Sequence, residues 1–158
     1  MKEGRFKGGW PANELLFNEM RGKGALIGVA VDPLTGHECG NQRYFAIPWF
    51  DACLTNRLPE ASGGTLRKMP ADEVWLAPLL GTEISSAGDF RGELASSVWL
   101  PDEETARRYL AYIRDTNVPD KTPPPAPEKL SAKGNTLTWT ASADLESGIE
   151  RFLIERDG

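Results

Sequence analysis

The chain is poor in the residues that metal sites and many catalytic sites use. Among 158 residues it has one histidine, His37, and two cysteines, Cys39 and Cys53. One histidine without a Cys-x-x-Cys pair falls short of the three or four ligands that a zinc site requires. We therefore expect no metal and no other cofactor, and we interpret both cysteines as free thiols rather than a disulfide.

Long apolar runs and clusters of basic residues are also missing. No apolar run approaches the roughly 18 residues that a membrane-spanning helix needs, and Met1–Arg5 is not followed by the apolar segment of a secretory signal. A net charge of −5 and a pI near 5.0 argue against a nucleic-acid surface. With 40% hydrophobic and 26% charged residues, the composition is that of a folded chain; we expect neither a membrane nor a nucleic-acid partner.

A serine nucleophile motif is absent as well. No Gly-x-Ser-x-Gly occurs, and the nearest approach, Glu60–Gly64, matches only its second half. The Gly22-Lys23-Gly24 segment precedes an apolar run and has Ile27 at the place of the third glycine. A dinucleotide loop has the opposite order, so we discard that interpretation.

The one histidine lies between an apolar run and a segment with a helical pattern. The run Ala25–Val31 is continuously apolar and predicts a buried parallel strand. His37 follows it in a Thr-Gly-His-Glu turn, and residues 44–56 then predict a helix. Open α/β sheets place their chemistry just beyond the carboxyl ends of strands. His37 is therefore the candidate catalytic base, and the order of elements predicts an α/β layer.

Other elements follow from periodicity. A helix is predicted to begin near Pro11 and another near Asp102, whereas residues 62–100 are predicted to be long and irregular but packed. We treat the similarity of Val74-Trp75-Leu76 to Val98-Trp99-Leu100 as coincidence. The predicted buried faces are Leu15, Leu16 and Met20 in the first helix; Phe45, Trp49, Ala52 and Cys53 in the second; and Ala106, Leu110 and Ile113, flanked by Tyr109 and Tyr112, in the third.

A proline-rich segment divides the chain. Residues 118–127 hold five prolines and predict a semi-rigid linker. We predict one unit over 1–117 and a second over 128–158. In the second unit, Leu137 and Trp139 alternate with polar residues, as do Phe152 and Ile154, which predicts strands.

The span from Gly4 to Leu58 resembles the C-terminal part of a bacterial α/β-hydrolase of the dienelactone-hydrolase and esterase type. The segments that carry the resemblance are Lys2-Glu3-Gly4-Arg5-Phe6, Gly24-Ala25-Leu26, Thr35-Gly36-His37-Glu38 and Ile47-Pro48-Trp49-Phe50-Asp51-Ala52-Cys53-Leu54. The resemblance implies a serine hydrolase whose triad runs serine, acid, histidine along the chain.

That resemblance assigns roles to two residues here. His37 would be the base, and Glu3, which lies 34 residues earlier, would be the acid that orients it. Two alternatives are weaker: Glu38 adjoins His37 and is better placed to contact backbone, and Cys39 is poorly spaced to act as a nucleophile with His37. The nucleophile and oxyanion hole would lie in an N-terminal half that this chain lacks.

Residues 123–158 resemble the start of a fibronectin type III domain, with Asn135–Ser142 as its second strand and Ile149–Asp157 as its third. Such a sandwich has about seven strands, so this unit is predicted to be incomplete, with unpaired edges that favour poor order or self-association. The resemblance also implies that the parent protein works outside the cytoplasm, secreted or periplasmic.

These observations predict an α/β-hydrolase fragment joined to a partial β-sandwich. Its parent would hydrolyse small-molecule or polysaccharide esters, and the chain alone would be inactive. The alternative is a noncatalytic module that binds carbohydrate or protein through exposed Trp10, Trp75 and Trp99.

Overall fold

A computed structural model describes residues 9–32, 40–71, 73–115 and 118–155. Within these ranges the chain forms three helices and two small antiparallel sheets, and no helix is long and apolar enough to cross a bilayer. The elements are α1 (Gly9–Gly22), α2 (Arg43–Arg57), β1 (Trp75–Pro78), β2 (Ser85–Ser86), a 3₁₀ turn (Leu94–Ser96), β3 (Ser97–Leu100), α3 (Glu103–Arg114), β4 (Glu128–Lys133) and β5 (Thr136–Thr140).

The predicted first helix is confirmed, but its predicted buried face is wrong. Leu15, Leu16 and Met20 are exposed, whereas Phe17 and Arg21 are buried. The Arg21 guanidinium donates from Nε to the Ser97 carbonyl at 2.7 Å and from Nη2 to Ser97 Oγ at 3.1 Å. Burial of this charge is tolerable because backbone and hydroxyl oxygens replace its water.

The second helix is confirmed with the face that periodicity predicts. Phe45 is buried, and Trp49, Ala52 and Cys53 are half-buried along the same side. The helix begins at Arg43, so Pro48 lies in its second turn. This helix packs against α3, where Phe45 contacts the rings of two tyrosines.

The predicted strand over Ala25–Val31 is not observed. This segment belongs to no strand, although the Trp99 N–H of the sheet donates a hydrogen bond to the Ile27 carbonyl at 2.9 Å. Leu26 is 45% exposed, so the expected cover on both faces is also absent. The buried and paired strand is instead β3, whose four residues are all buried.

The sheet that does form joins the two similar segments that we treated as coincidence. β1 lies between β2 and β3, and both of its pairings are antiparallel. Trp75 pairs with Leu100, and Leu76 pairs with Trp99. Because cross-strand partners share a face, the two tryptophans lie on opposite faces of the sheet.

Each face of this sheet therefore has its own apolar core. One face packs on the helices through Ala77, Val98 and Leu100; the helical residues of that core are Phe17, Phe45, Ala106, Tyr109 and Tyr112. The other face carries Leu76 and Trp99 and is covered by Met69 and Phe90 from loops and by Trp49 and Cys53 from α2. The prediction that 62–100 is packed is thus confirmed for residues such as Leu76, Phe90 and Trp99, whereas Leu66, Leu80 and Leu94 are exposed.

The third helix is confirmed with a rotated face. Asp102 is its N-cap and accepts a hydrogen bond from Thr105 N–H at 2.7 Å, which satisfies one of the free donors of the first turn. Ala106 is buried as predicted, but Tyr109 and Tyr112 form the centre of the buried face while Leu110 and Ile113 flank it. Aromatic rings bury more area than the aliphatic residues beside them.

The C-terminal part contains a hairpin after a stretch without helix or strand over 118–127. β4 and β5 pair antiparallel, and Trp139 lies on β5 as predicted. The third predicted strand is not observed, since residues 149–155 belong to no strand. Arg43 Nη2 donates to the Glu146 carbonyl at 2.6 Å, while Glu146 Oε2 accepts from Lys121 N–H and Thr122 N–H, each at 2.8 Å.

Candidate functional site

An open cleft of about 420 Å³ lies between α2, α3 and the segment that precedes residue 33. Its lining residues come from three places in the chain: Gly28, Ala30 and Asp32 before residue 33; Gln42, Phe45, Ala46, Trp49 and Phe50 around the start of α2; and Tyr112 from α3. The lining combines aromatic rings with polar groups from Asp32, Gln42 and Tyr112, and small-molecule sites also place polar groups among aromatic side chains.

The sequence-predicted site residues His37 and Glu3 lie outside the residues that the structure describes, as do Glu38 and Cys39. The structure does place both flanks of the 33–39 segment. Asp32 on one side and Gln42 on the other line the same cleft. In the sequence, His37 therefore lies between two residues of this cleft.

The described carboxylate of the cleft is hydrogen-bonded to a tyrosine. Tyr112 donates its hydroxyl hydrogen to Asp32 Oδ2 at 3.1 Å. Burial, and then the hydrogen bond and the charge of Asp32, raise the pKa of Tyr112 to about 12. Phe45 stacks on the Tyr112 ring with 6.2 Å between centroids. Tyr112 is thus a neutral hydroxyl that fixes the position of Asp32.

Sequence reasoning did not identify Asp32, Gln42 or Tyr112 as site residues. A signal for Asp32 was available, because a carboxylate follows directly on an apolar run that ends before the histidine loop. No comparable signal exists for Tyr112, which lies 80 residues further along the chain. Only the packing of α3 brings its hydroxyl to the cleft.

Gly28 leaves room for an indole at the base of the cleft. A Cβ atom at this position would lie 3.1 Å from Trp49 Nε1 and 3.1 Å from the Trp99 carbonyl oxygen. Trp49 meets Trp99 edge to face, with 5.9 Å between centroids. A side chain at position 28 would therefore require the Trp49 indole or the Trp99 carbonyl to move by a few tenths of an ångström.

Cys53 is not a candidate nucleophile. It is a free thiol on α2, packed beside the core around Trp99. Burial, followed by the charge of Asp102, raises the pKa of Cys53 to about 11. Because the thiolate is the reactive form, this cysteine is inert near neutral pH. The prediction of a free thiol is confirmed for Cys53, and Cys39 lies outside the described residues.

The alternative of an exposed tryptophan platform is contradicted at Trp99, which is 3% exposed. Trp75 is half-buried on the opposite face of the sheet, and Trp10 on α1 is also half-buried. The three indoles do not form one surface. The described part of the chain also contains no group of three or more His, Cys, Asp or Glu residues placed to hold a metal ion.

Comparison with known proteins gives no relative from which a role could be transferred. No protein-family model, curated protein or solved structure matches the chain.

The burial of Tyr112, together with its hydrogen bond to Asp32, predicts a pH dependence of stability. The unfolded chain releases a tyrosine proton near pH 10, whereas Tyr112 in the folded chain holds it to about pH 12. The free energy of unfolding should fall between these pH values, because there the unfolded state binds fewer protons. Urea titrations at pH 9, 10 and 11 should show a shallower fall for Tyr112→Phe. Equal slopes for both proteins would contradict the prediction.

Proposed function

We propose that this chain supplies the histidine-bearing part of an ester-hydrolysing serine hydrolase of α/β fold. His37 accepts the proton of a serine hydroxyl that an upstream segment provides, and it later donates that proton to the leaving alcohol. The observation that carries the proposal is that Asp32 and Gln42, which precede and follow His37 in the sequence, line one cleft.

The chemistry of the cleft suits this role. A histidine base needs a carboxylate that fixes its tautomer and stabilises the imidazolium. Two carboxylates are candidates: Glu3, from the family resemblance, and Asp32, from the cleft. Asp32 lies in the sequence between the apolar run and the histidine segment. Its position is fixed by the hydrogen bond from Tyr112. We propose Asp32 as the orienting group and retain Glu3 as the rival.

The aromatic lining supports an ester with an apolar acyl or alcohol part. Phe45, Trp49 and Phe50 present rings to the cleft, and Phe50 is 61% exposed. Rings of this kind bind planar or apolar groups and exclude water from the reacting bond. Gln42 adds an amide that can donate or accept a hydrogen bond. The fibronectin-like segment is proposed to be an accessory module of an exported enzyme.

The first test uses the reading frame that encodes the protein. The codons before Met1 are expected to encode a Gly-x-Ser-x-Gly segment between a predicted strand and a predicted helix. A frame that runs upstream through a folded domain without this motif contradicts the proposal. Sequencing of the transcript distinguishes the two outcomes.

The second test uses residues 1–158 alone. We expect no hydrolysis of 4-nitrophenyl esters that an organophosphonate reagent can quench, because serine activation and oxyanion donors both require the upstream segment. Release of 4-nitrophenol is followed with and without the reagent, and His37→Gln is the matched control. A phosphonate-sensitive rate that His37→Gln removes would show that the chain holds its own nucleophile, contrary to the proposal.

A further inference from the structure

Residues 144–148 of the second unit form a loop that is held in one conformation by its own first residue. Asp144 is only 5% exposed. Its Oδ1 accepts a hydrogen bond from Glu146 N–H at 2.8 Å, and its Oδ2 accepts one from the Ser147 hydroxyl at 3.1 Å. The bond from Glu146 N–H is the largest of the effects that lower the pKa of Asp144. A carboxylate that binds the backbone two residues ahead fixes a turn, so this loop can present Glu146 in a defined orientation.

The side chain of Glu146 holds the start of the proline-rich segment. Its Oε2 accepts hydrogen bonds from Lys121 N–H, from Thr122 N–H and from the Thr122 hydroxyl, each at 2.8 Å. Successive backbone N–H groups that point at one anion form a nest. These donors, with Lys121 N–H first, lower the pKa of Glu146. The carboxylate is therefore charged at neutral pH and accepts all three hydrogen bonds.

The backbone of the same loop contacts the first residue of α2. Arg43 Nη2 donates to the Glu146 carbonyl at 2.6 Å and to Asn41 Oδ1 at 3.2 Å. Gly148 has a φ of 82°, and a Cβ atom there would lie 3.5 Å from Arg43 Nε, so the loop backbone lies directly against the guanidinium. Hydrogen bonds from a charged donor are stronger than those between neutral groups. Glu146 thus contacts α2 through its carbonyl and the proline-rich segment through its side chain.

The covalent connection between the units makes these few contacts effective. Lys121 and Glu146 are 25 residues apart in the same chain, so the loop is always present at a high local concentration near its partners. The extended prolines that follow Thr122 are stiff, and they restrict the directions in which the second unit could move away. Units joined by a free linker move relative to one another by default. Anchoring both ends of the connection removes that freedom.

We propose that the 144–148 loop is a clamp that docks the second unit on the N-terminal end of α2, so that the proline-rich segment is a fixed spacer and not a hinge. The two units then move as one body. The second unit is held at the end of α2 where Gln42, the residue before Arg43, lines the cleft. The proposal does not depend on the hydrolase function, because it concerns contacts that any ligand of the cleft would leave in place.

The test measures each side of the clamp in residues 1–158. Nitrogen-15 relaxation should give one rotational correlation time for the three helices and the β4–β5 hairpin of the unmodified chain. Arg43→Gln removes the contact with α2 and should give the hairpin a shorter correlation time than the helices. Glu146→Ala keeps the Asp144 turn, which uses backbone N–H, but frees the proline-rich segment. Amide exchange at Lys121 and Thr122, and trypsin cleavage after Lys121, should then rise about tenfold, because both report the opened form.

Matched controls separate undocking from unfolding. Glu150→Ala and Arg114→Gln change exposed residues of the same types and should leave every readout as it is in the unmodified chain. Trypsin cleavage after Lys133, at the end of β4, is the internal standard and should not respond to Glu146→Ala. Circular dichroism verifies the helices of each variant.

Three results would overturn the proposal. One is an unmodified chain whose helices and hairpin have different correlation times. Another is amide exchange at Lys121 that Glu146→Ala leaves unchanged. The third is an equal rise in cleavage after Lys121 and after Lys133, which would show that Glu146 stabilises the fold of the second unit and not its docking.

Discussion

Replacement of His37 by glutamine is expected to lower kcat by about 10⁴-fold or more in an enzyme that contains this chain together with its serine-bearing segment. Without the imidazole no group removes the serine proton, and the remaining rate comes from binding and oxyanion stabilisation alone. Glutamine keeps a similar polar volume, so the substrate KM should change little. Steady-state kinetics on a 4-nitrophenyl ester measure both parameters.

The two candidate carboxylates are separated by the same assay. Asp32→Asn keeps the shape of the side chain and the bond from Tyr112 but removes the charge, and we expect a fall in kcat of about 10²–10⁴-fold. Glu3→Gln is the matched change at the rival position and should have little effect. The reverse result would assign the acid to Glu3. A His37→Gln enzyme with unchanged kcat would remove the base from this chain and end the hydrolase proposal.

Replacement of Arg21 by alanine is expected to reduce the free energy of unfolding by about 3–5 kcal/mol. The buried guanidinium donates to two carbonyl oxygens, those of Ala25 and Ser97, and to the Ser97 hydroxyl. Its removal leaves buried acceptors without donors and opens a cavity between α1 and β3. Ser97 is fully buried, so water cannot easily replace the lost hydrogen bonds.

The design of this experiment depends on two further variants. Arg21→Lys keeps the charge but lacks the planar fork that reaches both Ala25 and Ser97, so an intermediate loss is expected. Arg114→Ala removes an exposed arginine at the end of α3 and should change stability by less than about 0.5 kcal/mol. Urea unfolding at pH 7, followed by tryptophan fluorescence, gives the values. Equal stability of Arg21→Ala and Arg114→Ala would show that the buried hydrogen bonds contribute nothing.

The three helices show which features of the fold the local sequence pattern can predict. All three could be predicted, because caps, stop signals and spacing act within a few residues, as the Asp102 cap does on Thr105. The buried face of α1 could not be predicted, since the hydrophobic pattern of this helix places Arg21 toward solvent. Arg21 is buried only because Ser97, 76 residues away, supplies its acceptors. The rotated face of α3 has a similar origin in the contact between Tyr112 and Asp32.

The sheet and the cleft show where local pattern fails. Ala25–Val31 has a strong strand pattern, yet the strands are made by shorter segments around Trp75 and Trp99. Several segments compete for the same pairing partners, and the residues of one segment do not specify which segment will pair. The cleft likewise combines Asp32 with a tyrosine from a distant helix. Neither this cleft nor its composition could be predicted, because its lining residues come from three separate parts of the chain.

By itself the sequence determined the helices, the proline-rich break, the hairpin strand β5, and the chemistry available to any site: a single imidazole and no Gly-x-Ser-x-Gly motif. These follow from residue identity and from interactions between near neighbours. The tertiary structure decided which strands pair, which helix faces are buried, and that Tyr112 hydrogen-bonds Asp32. Those outcomes depend on long-range packing, whose free energy comes from partners that local sequence does not specify.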